Sequence, residues 1–157
     1  MLLKHFKKLF EPDALLSGEN SHHHLELATA ALLFEVARSD FEQDEAEYET
    51  IARHLKEAFD LSPDELERVT TESEHRVEHA TSLYEFTRTI NDHCTPKERI
   101  ALIEAMWQVA YADGELSKYE DHLIRRTAEL LYVAHSDFIR GKHRAQERLA
   151  QSSTDTN

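Results

Sequence analysis

Two stretches of the chain are apolar on nearly every helical face: residues 25–38, LELATAALLFEVAR, and residues 100–112, IALIEAMWQVAYA. A helix that is apolar all round must be enclosed by other helices. These two segments are therefore expected to form the central pair of a bundle, with Trp107 as the largest packing unit. Glu35 and its counterpart Gln108 are polar groups in this setting. They are expected to hydrogen-bond across the pair or at its rim, since unsatisfied burial costs about 1–3 kcal/mol.

The remaining segments are one-sided, with apolar residues at helical spacing. Residues 1–11, MLLKHFKKLFE, set Leu2, Leu3, Phe6, Leu9 and Phe10 between lysines. Tyr48, Ile51, Ala52, Leu55 and Phe59 mark a helix after the first central one; Leu123, Ile124, Ala128 and Leu131 mark another after the second. A thin stripe of Leu66, Val69, Ser73, Val77 and Ala80 predicts an edge helix, and Leu83, Phe86, Thr87 and Ile90 a short connector. The last helix starts near Ser136 and carries Phe138, Ile139, Lys142 and Ala145. Ser62-Pro63-Asp64-Glu65 and Thr95-Pro96-Lys97-Glu98 are start signals, each a capping box with proline at the first helical position.

The chain repeats itself. VARSDFEQDEAE at residues 36–47 and VAYADGELSKYE at residues 109–120 align at an offset of 73 positions, pairing Asp40 with Asp113, Glu42 with Glu115 and Glu47 with Glu120. Each is a helix end, an acidic turn and a helix start. The expected fold is all-α: a single bundle of seven or eight helices with an internal pseudo-two-fold repeat. Residues 1–20 read as an amphipathic arm and linker, 21–148 as the domain, and 149–157 as a disordered polar tail.

Composition narrows the function classes. At this length a domain buries roughly 70% of its unfolded surface, and only three glycines and three prolines favour helices over turn-rich sheets. No apolar run approaches the roughly 20 residues of a membrane span, and the basic N-terminus is not a secretory signal. The single Cys94 excludes an internal disulfide and suits a reducing, cytoplasmic setting. The formal net charge of −13 argues against nucleic acid, which needs a dominant basic surface. It favours a basic protein partner, a cation, or simple solubility. Residues 1–11 suit contact with an anionic membrane surface or packing on the domain. Packing is favoured, because two turns are little to hold a membrane.

The acidic turns are the best candidate for chemistry. Asp40, Glu42 and Glu47 with Asp113, Glu115 and Glu120 supply hard oxygen ligands, which select Ca²⁺, Mg²⁺ or Mn²⁺ over zinc. The spacing is not that of an EF-hand. The competing explanation is capping: Ser117 to Glu120 is itself a capping box, and Asp44 with Glu47 has the same form. Capping leaves Asp40, Glu42, Asp113 and Glu115 unexplained. Other groupings carry less. His22 to His24 point about 100° apart on a helix and cannot share one metal; His75 and His79 lack a third ligand. Cys94 has no base or oxyanion hole indicated, and no glycine-rich phosphate loop is present. No catalytic activity is expected.

The pattern A-D-G-E-x-S-x-x-E after an apolar helix, with its twin in the first half, resembles the TerB-like domains of tellurite-resistance operons. The YEFTRTIND connector and the basic final helix extend the similarity over most of residues 21–146. The resemblance implies an all-helical fold, a bacterial cytoplasmic setting, a stress-response role with metal sensing, and no catalysis. Its motif acids fall on Asp113, Glu115 and Glu120, and in the first half on Asp40, Glu42 and Glu47. Phe41 stands where Gly114 stands in the second copy, so the first turn cannot share the left-handed geometry of the second without strain. Two readings stay open: a cation-responsive stress protein, or a co-chaperone-like interaction module whose acidic turns are helix caps only.

Overall fold

The computed structural model describes residues 19–38, 45–79, 82–112 and 116–155. Within them lie seven α-helices and no strand: α1 Glu19–Arg38, α2 Glu45–Phe59, α3 Pro63–His79, α4 Tyr84–His93, α5 Pro96–Ala110, α6 Lys118–Leu130 and α7 His135–Asp155. The arm at residues 1–11 and both acidic turns, residues 39–44 and 113–115, lie outside the described residues.

The central pair is α1 and α5, as their all-round apolar faces require. From Leu25 to Phe34 every residue of α1 is buried, as is every residue of α5 from Ala101 to Trp107. Glu35 and Gln108 are half-buried, at the rim. α1 packs on α2, α3, α4, α5 and α6; α5 packs on α1, α2, α6 and α7. Exchanging the two halves maps α1·α2 onto α5·α6, α1·α3 onto α5·α7, and α2·α5 onto α6·α1.

Buried positions of α2 and α6 coincide at the same offset of 73: Glu47 with Glu120, Ile51 with Ile124, His54 with Thr127, Leu55 with Ala128. Both helices also stop alike. Asp60 and Tyr132 take left-handed backbone at φ 53° and 56°, and after α6 the Val133 amide donates to the Ala128 carbonyl at 2.9 Å, a Schellman closure. Tyrosine has no reason of its own to be left-handed, and its ring is largely exposed. Tyr132→Gly is therefore expected to raise stability by about 1 kcal/mol, measured by urea unfolding.

α7 closes over α5 around one aromatic nucleus. Trp107 is fully buried; its indole Nε1 donates to the Phe138 carbonyl at 3.1 Å, and its ring lies 5.1 Å from Phe138 and 6.2 Å from Tyr111. Gly141 permits this approach: a β-carbon there would meet Trp107 Cδ1 at 3.3 Å. α7 continues to Asp155, past residue 149 where the polar tail was expected to begin. No glycine or proline follows Gly141, so nothing in the backbone stops the helix.

Candidate functional site

The acidic turns are flanked by structure that the sequence programmes locally. Tyr111 caps the end of α5, its amide donating to the Trp107 carbonyl at 3.0 Å. α6 begins with the expected box: the Glu120 amide donates to Ser117 Oγ at 3.1 Å, and the Ser117 amide donates to Glu120 Oε1 at 3.1 Å. The same device starts α5, where the Thr95 amide donates to Glu98 Oε1 at 2.7 Å and the Glu98 amide to Thr95 Oγ1 at 3.3 Å. It also starts α3 through Ser62 and Glu65. The α3 box faces solvent, whereas Glu98 and Glu120 are buried.

Burial changes the meaning of Glu120. A surface cap only satisfies amides; a buried one also ties the start of its helix to the core. Glu47, its counterpart, is equally buried at the start of α2. These two are the members of the six-carboxylate set whose positions are described. Asp40, Glu42, Asp113 and Glu115, together with Asp44, lie outside the described residues. Ser117→Ala is expected to cost about 1 kcal/mol, as is Thr95→Ala, each read from the urea midpoint at unchanged slope.

The histidine groups resolve differently. His23 bridges two helices, its Nε2 3.1 Å from Glu72 Oε2 and its Nδ1 3.6 Å from Glu26 Oε2. His24 and His75 are exposed, while the side chains of His22 and His79 lie outside the described residues. Among the described residues no group of three or more His, Cys, Asp or Glu side chains is arranged to hold a metal ion. Cys94 is half-buried. Burial pushes its thiol well above the ordinary range, Glu98 adds to the rise and Arg99 opposes it. A thiol so held stays protonated and is a poor nucleophile.

Two residues with altered chemistry were not anticipated. Burial, with a hydrogen bond to Glu74 and the charge of that carboxylate, pushes the Tyr48 phenol up to about 12. His54 lies in the α2 interface with only 3% of its surface exposed. Burial first, then the positive charges of Arg53 and Arg148, lower its pKa from 6.5 to about 4. Gln108 lies alongside and partly offsets the fall, yet neither ring nitrogen completes a hydrogen bond of good geometry. The available signal was periodicity: His54 follows Glu47 and Ile51 on the inward stripe of α2. Tyr48, expected on that stripe, is 40% exposed and leans on Phe34, with ring centroids 5.5 Å apart.

No described helix is long and apolar enough to cross a membrane. Comparison with curated proteins and with solved structures finds no match. A family model described as tellurite resistance protein TerB matches residues 26–143. That span runs from the first central helix, through both acidic turns and capped helices, to the close α5–α7 contact at Gly141. With three quarters of its length matched, the chain belongs to the TerB family.

Proposed function

We propose that this protein is a non-enzymatic, cytoplasmic stress-response protein of the tellurite-resistance type, whose acidic turns take up a divalent cation, Ca²⁺, Mg²⁺ or Mn²⁺. Family membership supports the tellurite-resistance-type role. The observation that carries the cation reading is the matched pair of buried glutamates, Glu47 and Glu120, each rooting the helix that follows an acidic turn. With these two rooted, Asp40 with Glu42, and Asp113 with Glu115, are the carboxylates left to meet an ion. Clustered carboxylates repel one another when ionised, and a hard cation relieves that repulsion. The protonated Cys94 thiol fits a protein without nucleophilic catalysis.

The test is thermal melting of the full chain with chelator and with each cation. At a hundredfold excess over Kd, binding adds about 2.7 kcal/mol. Asp113→Ala is expected to remove much of that gain. Identical melts in chelator and cation would refute the cation reading.

A second reading has its own support. Tyr84, Tyr119 and Tyr132 are exposed large aromatics on α4, on α6 and at its end. Tyrosine is a favoured anchor in protein interfaces. On this reading the protein is a co-chaperone-like scaffold, and its acidic face docks a basic partner. Partner binding that weakens with salt but ignores chelator would select it.

A further inference from the structure

A second polar site lies beside the C-terminal end of α5. α2, α5 and α7 enclose a cleft of about 560 Å³, whose lining includes Arg53, His54, Glu57, Gln108, Tyr111 and Arg148. The chain as a whole is strongly acidic, so two arginines converging on one concavity run against the average surface.

The cations elsewhere on α7 are spent. Lys142 sits 3.1 Å from Asp121, Arg140 3.6 Å from Asp137, and Arg144 3.5 Å from Glu104. Arg148 and Arg53 are exposed and make no ion pair among the described residues. Their guanidinium forks suit the oxygens of an anion. At the floor, His54 is almost wholly buried and its ring nitrogens have no well-formed hydrogen bond. Leaving such a group unsatisfied costs free energy. Its counterpart in the other half avoids that cost: Thr127 Oγ1 donates to the Leu123 carbonyl of its own helix at 2.8 Å. Tyr111 accepts a hydrogen bond from Gln146 Nε2 at 3.0 Å, which leaves its own O–H to donate.

We propose that this cleft binds a small protonated oxyanion, gripped by Arg53 and Arg148 and contacted at its floor by Tyr111, with the buried His54 ring in the lining close enough to sense occupancy. Glu57 defines the class further. A carboxylate facing the same space repels a bare anion but accepts a hydrogen bond from one that keeps a proton, as hydrogen phosphate does. None of the residues assigned to it here belongs to an acidic turn.

The test is a titration of the full chain with sodium phosphate, in chelator, with ionic strength held constant by chloride. His54 ring resonances report occupancy, and thermal melting reports stabilisation. Saturable His54 shifts and a rise in Tm are expected with millimolar phosphate. Arg53→Gln and Arg148→Gln, both at exposed positions, should keep the helical circular dichroism and each weaken phosphate binding by about tenfold or more. No His54 response, or an equal response in the double variant, would overturn the proposal. So would a response that chloride alone reproduces. Because chelator is present throughout, failure here leaves the cation reading untouched.

Discussion

Trp107→Ala is expected to lower stability by about 3–5 kcal/mol, the cost of emptying a large aromatic site in a core that relaxes only partly. Three features place this residue at the upper end. It is fully buried, it holds the Phe138 carbonyl through its indole N–H, and it carries the Lys142 ammonium 5.4 Å from its ring. The Phe138 carbonyl would lose its side-chain donor, and α7 would lose the surface on which Gly141 rests. For a domain of this size, the loss corresponds to a fall in Tm on the order of 10 °C. Trp107→Phe keeps most of the packing and loses the hydrogen bond, so it should fall between the two. A loss below about 1 kcal/mol in the alanine variant would mean that α7 is not anchored through this residue. Urea unfolding followed by far-ultraviolet circular dichroism makes the measurement.

His54 should give the protein a distinct acid limb. Its pKa is lowered on folding, from 6.5 to about 4, so the unfolded chain binds the proton more readily than the folded one. The associated stability is fully present above pH 6.5 and is lost as pH falls toward 4. By pH 4 the loss from this one ring amounts to about 3 kcal/mol. His54→Leu removes the titration and places an apolar side chain among Leu33, Leu55, Ala58 and Leu102, which line the adjoining cavity. Wild type and variant should be close in stability at pH 7 and diverge below pH 6.5, with the variant the more stable in acid. Parallel stability curves from pH 7 to pH 4 would show that His54 titrates normally. The difference between the two proteins is the readout, because it cancels the contributions of all other groups.

How much of this was legible depends on which force placed each residue. The central pair was legible because all-round apolarity has one solution, enclosure, and α1 and α5 are enclosed. The starts of α3, α5 and α6 were legible because a capping box is satisfied within four residues and needs no tertiary context. His54 and Glu47 were not, since polar residues on an inward stripe look like solvent-facing ones. Ile51, Leu55 and Phe59 of the expected stripe are buried, and Tyr48 is its one exposed member. Tertiary packing put Glu47, Ile51, His54 and Leu55 inside and left Tyr48 at the edge. The length of α7 is not legible from polarity, because polar residues without glycine or proline carry a helix onward, here to Asp155. For the acidic turns, the repeat and its residue types were legible, and the burial of Glu47 and Glu120 was added by the structure.

The most direct test of the cation reading is calorimetric titration of the full chain with calcium and with magnesium. A variant of the same chain should carry Asp40→Asn, Glu42→Gln, Asp113→Asn and Glu115→Gln, with Glu47 and Glu120 left intact. A saturable signal in the wild type that disappears in the fourfold variant is the predicted result. No signal in the wild type, or the same signal in both, would contradict it.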